Sequence, residues 1–141
     1  MNRARFLVMA LLAAGAVGCS DNTTAPPPPP PPQPPPPGSA IVALVTPNSD
    51  DGAVSVTLRG PGISTLETAS SGYVFFSRLA SDTVAHAIVV GNVSAGPIFT
   101  FTPASGARMS AYTATVQEIA SRADAVRSSV TGYALTITAA P

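Results

Sequence analysis

One thiol, one imidazole and a few carboxylates are the only side chains in these 141 residues with reactive chemistry to offer. The thiol is Cys19, where the apolar run Phe6 to Val17 gives way to Gly18-Cys19-Ser20. The imidazole is His86, inside the most apolar candidate strand, Thr83 to Val90. General acid–base or metal chemistry needs partner groups within reach, and spacing brings none to His86. It reads as a neutral histidine on a sheet. A serine nucleophile would need a strand-to-helix elbow of the Gly-x-Ser-x-Gly kind, which is absent. Asn48, Asp50 and Asp51 offer oxygens of the type calcium prefers. The segment lacks the alternating acids and closing bidentate Glu of a calcium loop, and Asx side chains also cap turns without any ion. Paired carboxylates for glycoside hydrolysis would have to come from acids that no context marks. The residues therefore predict no enzyme, no cofactor and no metal site.

Three parts are needed to place these groups. The first is residues 1–18. Arg3 and Arg5 form a positive n-region, Phe6 to Leu12 open an apolar core, and Ala13 to Gly18 end it with small residues. That is the layout of an export signal. A membrane-spanning helix needs about 20 apolar residues and this run has only about a dozen, so it reads as a signal and not as a span.

The stretch Ala16-Val17-Gly18-Cys19 resembles the lipobox of bacterial lipoproteins, with Ala16 where Leu is usual. The resemblance implies cleavage before Cys19, diacylglycerol on its sulfur and often a further chain on its nitrogen. It therefore implies a membrane partner through the lipid anchor at Cys19, in a bacterial cell envelope. Ser20 stands where inner-membrane lipoproteins carry Asp, so the resemblance favours the outer membrane. Cys19 is the only cysteine, so a disulfide framework within the chain is excluded.

The second part is residues 19–39, a linker. Ser20 to Thr24 is polar, and Pro26 to Pro37 is proline throughout except Gln33. Proline locks φ near −65° and pushes the preceding residue to extended geometry. The tract is predicted to form a polyproline II rod of roughly 37 Å, with Gly38-Ser39 as a flexible joint. A ligand for a proline-recognition module is the alternative use of such a tract.

The third part, residues 40–141, is long enough for one domain with one core. Formal net charge is zero and the chain contains no lysine. Arg59, Arg78, Arg108, Arg122 and Arg127 are interspersed with the acids, so no basic stripe for nucleic acid exists. Val54, Val56 and Leu58 alternate with Ser55, Thr57 and Arg59, the period of a half-buried strand. Ala40 to Thr46 is apolar and β-branched, and with the Asn48 to Gly52 turn it is expected to form a hairpin with that strand. Tyr73 to Leu79 is the next strand. Thr83 to Val90 is apolar almost throughout, as expected of a central strand covered on both faces. Ile98 to Thr102 puts Phe99 and Phe101 on one face, and the phenylalanines are expected in the core. Tyr112 to Val130 carries apolar residues at helical spacing but is rich in β-branched ones. A long strand from Tyr112 to Arg122, an irregular link over 123–128 and a terminal strand Tyr133 to Thr138 are favoured over a helix.

Short strands with frequent turns predict an all-β fold, a single Ig-like β-sandwich. The order of Val84 to Val90, Gly96-Pro97 and Ile98 to Thr102 is similar to part of a cohesin-type sandwich. That resemblance implies a fold and no binding residue. The domain reads as a small non-catalytic module for binding or structural interaction with envelope protein or polysaccharide.

Overall fold

Alternating apolar residues become strands here wherever Gly, Pro or Asx residues bound them. A computed structural model describes residues 38–141. The signal region, Cys19 and the proline tract lie outside the described residues. The strands are β1 (Ala40–Val45), β2 (Asp51–Arg59), β3 (Ser64–Thr68), β4 (Val74–Ser81), β5 (Val84–Val93), β6 (Gly96–Thr102), β7 (Thr113–Ser121) and β8 (Ala134–Ala139). A short 3-10 turn, Met109–Ala111, precedes β7.

The strands form two four-stranded antiparallel sheets, ordered β3-β6-β1-β8 and β4-β5-β2-β7. The pairs β4·β5, β3·β6, β2·β7 and β1·β8 nest as if one long hairpin had been folded over itself, as in a double-sheet roll. Two sheets packed face to face make the expected β-sandwich. Their facing sides supply the core: Val42 and Leu44, Val54, Val56 and Leu58, Ala85, Ala87 and Val89, Phe99 and Phe101, and Ile119. Phe75 of one sheet meets Phe99 of the other with ring centroids 5.8 Å apart.

Two expectations require correction. β1 and β2 are not a hairpin: β1 pairs with β6 and β8, and β2 pairs with β5 and β7. Each of the two strands buries an apolar face: Ala40, Val42 and Leu44 on β1, and Val54, Val56 and Leu58 on β2. Side by side, they would place both faces on the same side of one sheet. Crossing between sheets sets Val42 and Leu44 against Val54, Val56 and Leu58, so each covers the other. Nor is β5 covered on both faces. Ala85, Ala87 and Val89 are buried, whereas His86 and Ile88 on the other face are open to solvent. The strand is interior to its sheet, but no described residue forms a layer over the outer side. It is β6 that is buried on successive residues, Ile98 to Phe101.

The C-terminal third follows the strand reading. β7 runs through Thr113–Ser121, the link to β8 is irregular, and no helix forms. β3 was not legible, because Leu66 is its only apolar residue and no alternation can show.

Candidate interaction surface

His86 lies on the outer face of the second sheet, directly opposite Thr57 on β2 and Arg78 on β4. Its Nδ1 is 3.2 Å from Thr57 Oγ1, so its partner is a hydroxyl and not a carboxylate. Among the described residues no three His, Cys, Asp or Glu side chains converge where a metal ion could sit.

The turn acids have a different occupation from ion binding. Asp51 is fully buried. Its Oδ2 accepts from Thr46 Oγ1 at 2.6 Å, and its Oδ1 accepts from Tyr133 Oη at 2.9 Å and Arg127 Nε at 2.8 Å. The same guanidinium reaches Asp50 at 2.5 Å. Asn48 Nδ2 donates to Tyr133 Oη at 2.7 Å. Burial alone would raise the Asp51 pKa. The donors Thr46, Tyr133 and Arg127, together with the Arg127 charge, outweigh it and hold the carboxyl below its ordinary value. This cluster ties the β1–β2 crossing to the β7–β8 link. Spacing could not reveal it, since Arg127 stands 76 positions from Asp51.

A second tie holds the opposite side of the domain. Tyr112 is buried, and its hydroxyl donates to the Pro61 carbonyl at 2.6 Å and accepts from the Ala104 amide at 2.9 Å. Its ring lies 5.1 Å from that of Phe101, centroid to centroid. An open depression of about 360 Å³ lies beside it, lined by Met109, Thr113, Ala114, Leu135 and Ile137 among others, with no charged side chain. Its lining mixes the hydroxyl-bearing Ser110, Tyr112 and Thr113 with apolar side chains and holds no carboxylate, imidazole or thiol.

The remaining feature is the outer face of β4 and β5. Phe75, Phe99 and Phe101 turn into the core as expected, but Phe76 turns out and is 59% exposed. Period two dictates that neighbours Phe75 and Phe76 cannot share a side. By register Phe76 stands beside Ile88, Val74 beside Val90, and Arg78 beside His86. Val74 and Ile88 are also open to water, at 56% and 44%. Scattered exposed apolar side chains are ordinary, but a contiguous set on one sheet face marks a contact surface. Neither acid nor lysine interrupts it on β4 or β5. No family model matches this chain, and no curated protein or solved structure is similar to it, so its function has to be read from these residues.

Proposed function

We propose that this chain is an envelope lipoprotein, anchored through acylated Cys19, that displays its β-sandwich for non-catalytic protein contact. The anchor half of this reading is carried by Ala16-Val17-Gly18-Cys19 at the end of a short apolar run. The proline tract behind it suits a stalk that holds a domain away from lipid headgroups. Two or more acyl chains hold a protein on a bilayer where one does not, at about 0.8 kcal/mol per buried methylene. The outer membrane is the proposed address, on Ser20.

The contact half rests on the open β4–β5 face. A polysaccharide platform stacks sugars on several rings in line. This face has one phenyl ring, Phe76, beside Val74, Ile88, Arg78 and His86. A protein partner therefore fits it better than a cell-wall or other polysaccharide, which is the alternative.

The anchor is tested by fractionation and mass spectrometry. Wild-type protein should stay with envelopes through a high-salt wash and leave only with detergent. Its mature N-terminus should be Cys19 carrying acyl mass. Cys19→Ala should appear uncleaved or in a non-detergent fraction. If the variant is cleaved and still fractionates as wild type does, or the wild-type sulfur is unmodified, the anchor is wrong.

A further inference from the structure

An edge strand exposes a row of unpaired amides and carbonyls, and proteins usually protect such rows. Three of the four edges here are protected. β3 is short, carries Glu67, and is broken by Thr65 at φ 39° and a register shift beside it. β7 carries Glu118, and its free side is partly taken by the following segment: Arg127 N donates to Ile119 O and Ser121 N to Ala125 O, both at 2.9 Å. β8 packs beside β7 and the 3-10 turn. β4 packs beside β3 and its register shifts past Leu79, yet it alone of the four edges exposes large apolar side chains. Its register with β5 is regular from Val74 to Leu79, with no Pro, Gly, Lys or acid in the strand. Val74, Phe76 and Leu79 are all exposed on it.

We propose that β4 pairs antiparallel with β4 of a second copy about a two-fold axis at Ser77, joining two sheets into one of eight strands. This rests on the reading of β4–β5 as the contact surface, and not on the anchor. In an antiparallel pair, directly opposed residues share a face, so only registers that oppose residues of like parity are allowed. With Ser77 on the axis, Phe76 lies against Arg78 of the second copy, twice by symmetry. Phe75 lies against Leu79 of the second copy on the other side. The guanidinium and its aliphatic stem then cover the exposed ring. A register shifted toward the C-terminus opposes Arg78 to itself. One shifted toward the N-terminus sets Arg78 against Val74 and Phe76 against itself, so no guanidinium lies over the exposed ring. Arg78 is free to serve, because both ion pairs among the described residues belong to Arg127. The contact is isologous and closes at two copies.

The test uses the full-length chain in isolated envelopes with a short bismaleimide. Ser77→Cys should give about ten times more covalent homodimer than Thr68→Cys on β3. Adding Phe76→Lys to Ser77→Cys sets a cation against Arg78 and should remove that excess. Adding Arg78→Asp as well makes two new ion pairs across the axis and should restore it. A cysteine-unmodified wild-type chain runs in parallel. Cross-linking there reports an unacylated Cys19 and so a failed anchor, and is subtracted. An excess for Ser77→Cys no greater than for Thr68→Cys, or one that Phe76→Lys leaves intact, overturns the pairing whatever the anchor does.

Discussion

Asp51→Asn is expected to destabilise the domain by about 3 kcal/mol, the low end for breaking a buried ion pair because Arg127 is partly solvated. An amide keeps the size but not the charge, and its nitrogen cannot accept. One of the three side-chain donors, from Thr46, Tyr133 and Arg127, then faces a donor instead of an acceptor. In a domain of this size that is a fall in melting temperature of at least about 12 °C, measured by calorimetry or circular dichroism. The pH dependence has a definite sign. The folded-state pKa of Asp51 lies below its ordinary value of 3.8. Its contribution is therefore complete above that value and disappears as the pH falls through the folded-state pKa. Wild type should lose stability on acidification below about pH 4, and Asp51→Asn should lack that part of the slope. A variant as stable as wild type at pH 7, with the same acid slope, would remove Asp51 from its place as the tie between the β1–β2 crossing and the β7–β8 link.

Gly60→Ala is expected to cost about 3 kcal/mol, at the top of the usual range for overpacking. A Cβ at Gly60 would stand 2.2 Å from Tyr112 Cδ1 and 2.7 Å from Cε1. A flexible side chain could swing away, but this ring is buried, packed on Phe101 and held by Pro61 and Ala104. The backbone at Gly60, φ 158°, lies in a region that side-chain-bearing residues rarely adopt and adds strain, but the clash is the larger cause. A double-mutant cycle isolates it. Tyr112→Ala alone should be costly, but in that background Gly60→Ala should lose most of its effect. If the two costs simply add, the close approach is not what makes glycine necessary there. Tyr112→Phe, which keeps the ring, should cost about 1 kcal/mol through loss of the part-buried hydrogen bonds to the Pro61 carbonyl and the Ala104 amide.

The sequence alone determined the fold class and most strand positions. Val54, Val56 and Leu58 alternate, and Tyr133 to Thr138 is β-branched and bounded by Gly132, so each segment carries its own conformational preference. These are local properties, and local properties are written in consecutive residues. The short apolar run before Cys19, on which the proposed export signal and anchor rest, is local in the same sense. Tertiary structure alone decided the partners. A turn before β2 is equally compatible with a hairpin and with a crossing between sheets, and the choice fell to mutual burial of two apolar faces. An apolar run at β5 does not say whether a second layer lies over it, so the exposure of Ile88 and His86 followed from sheet order. Phe75 and Phe76 are the same residue type one step apart, and only the position of the core told inside from outside. Asp51, Arg127 and Tyr133 meet because the rolled topology brings distant segments to one end of the sandwich, and that juxtaposition has no spacing in the chain to betray it.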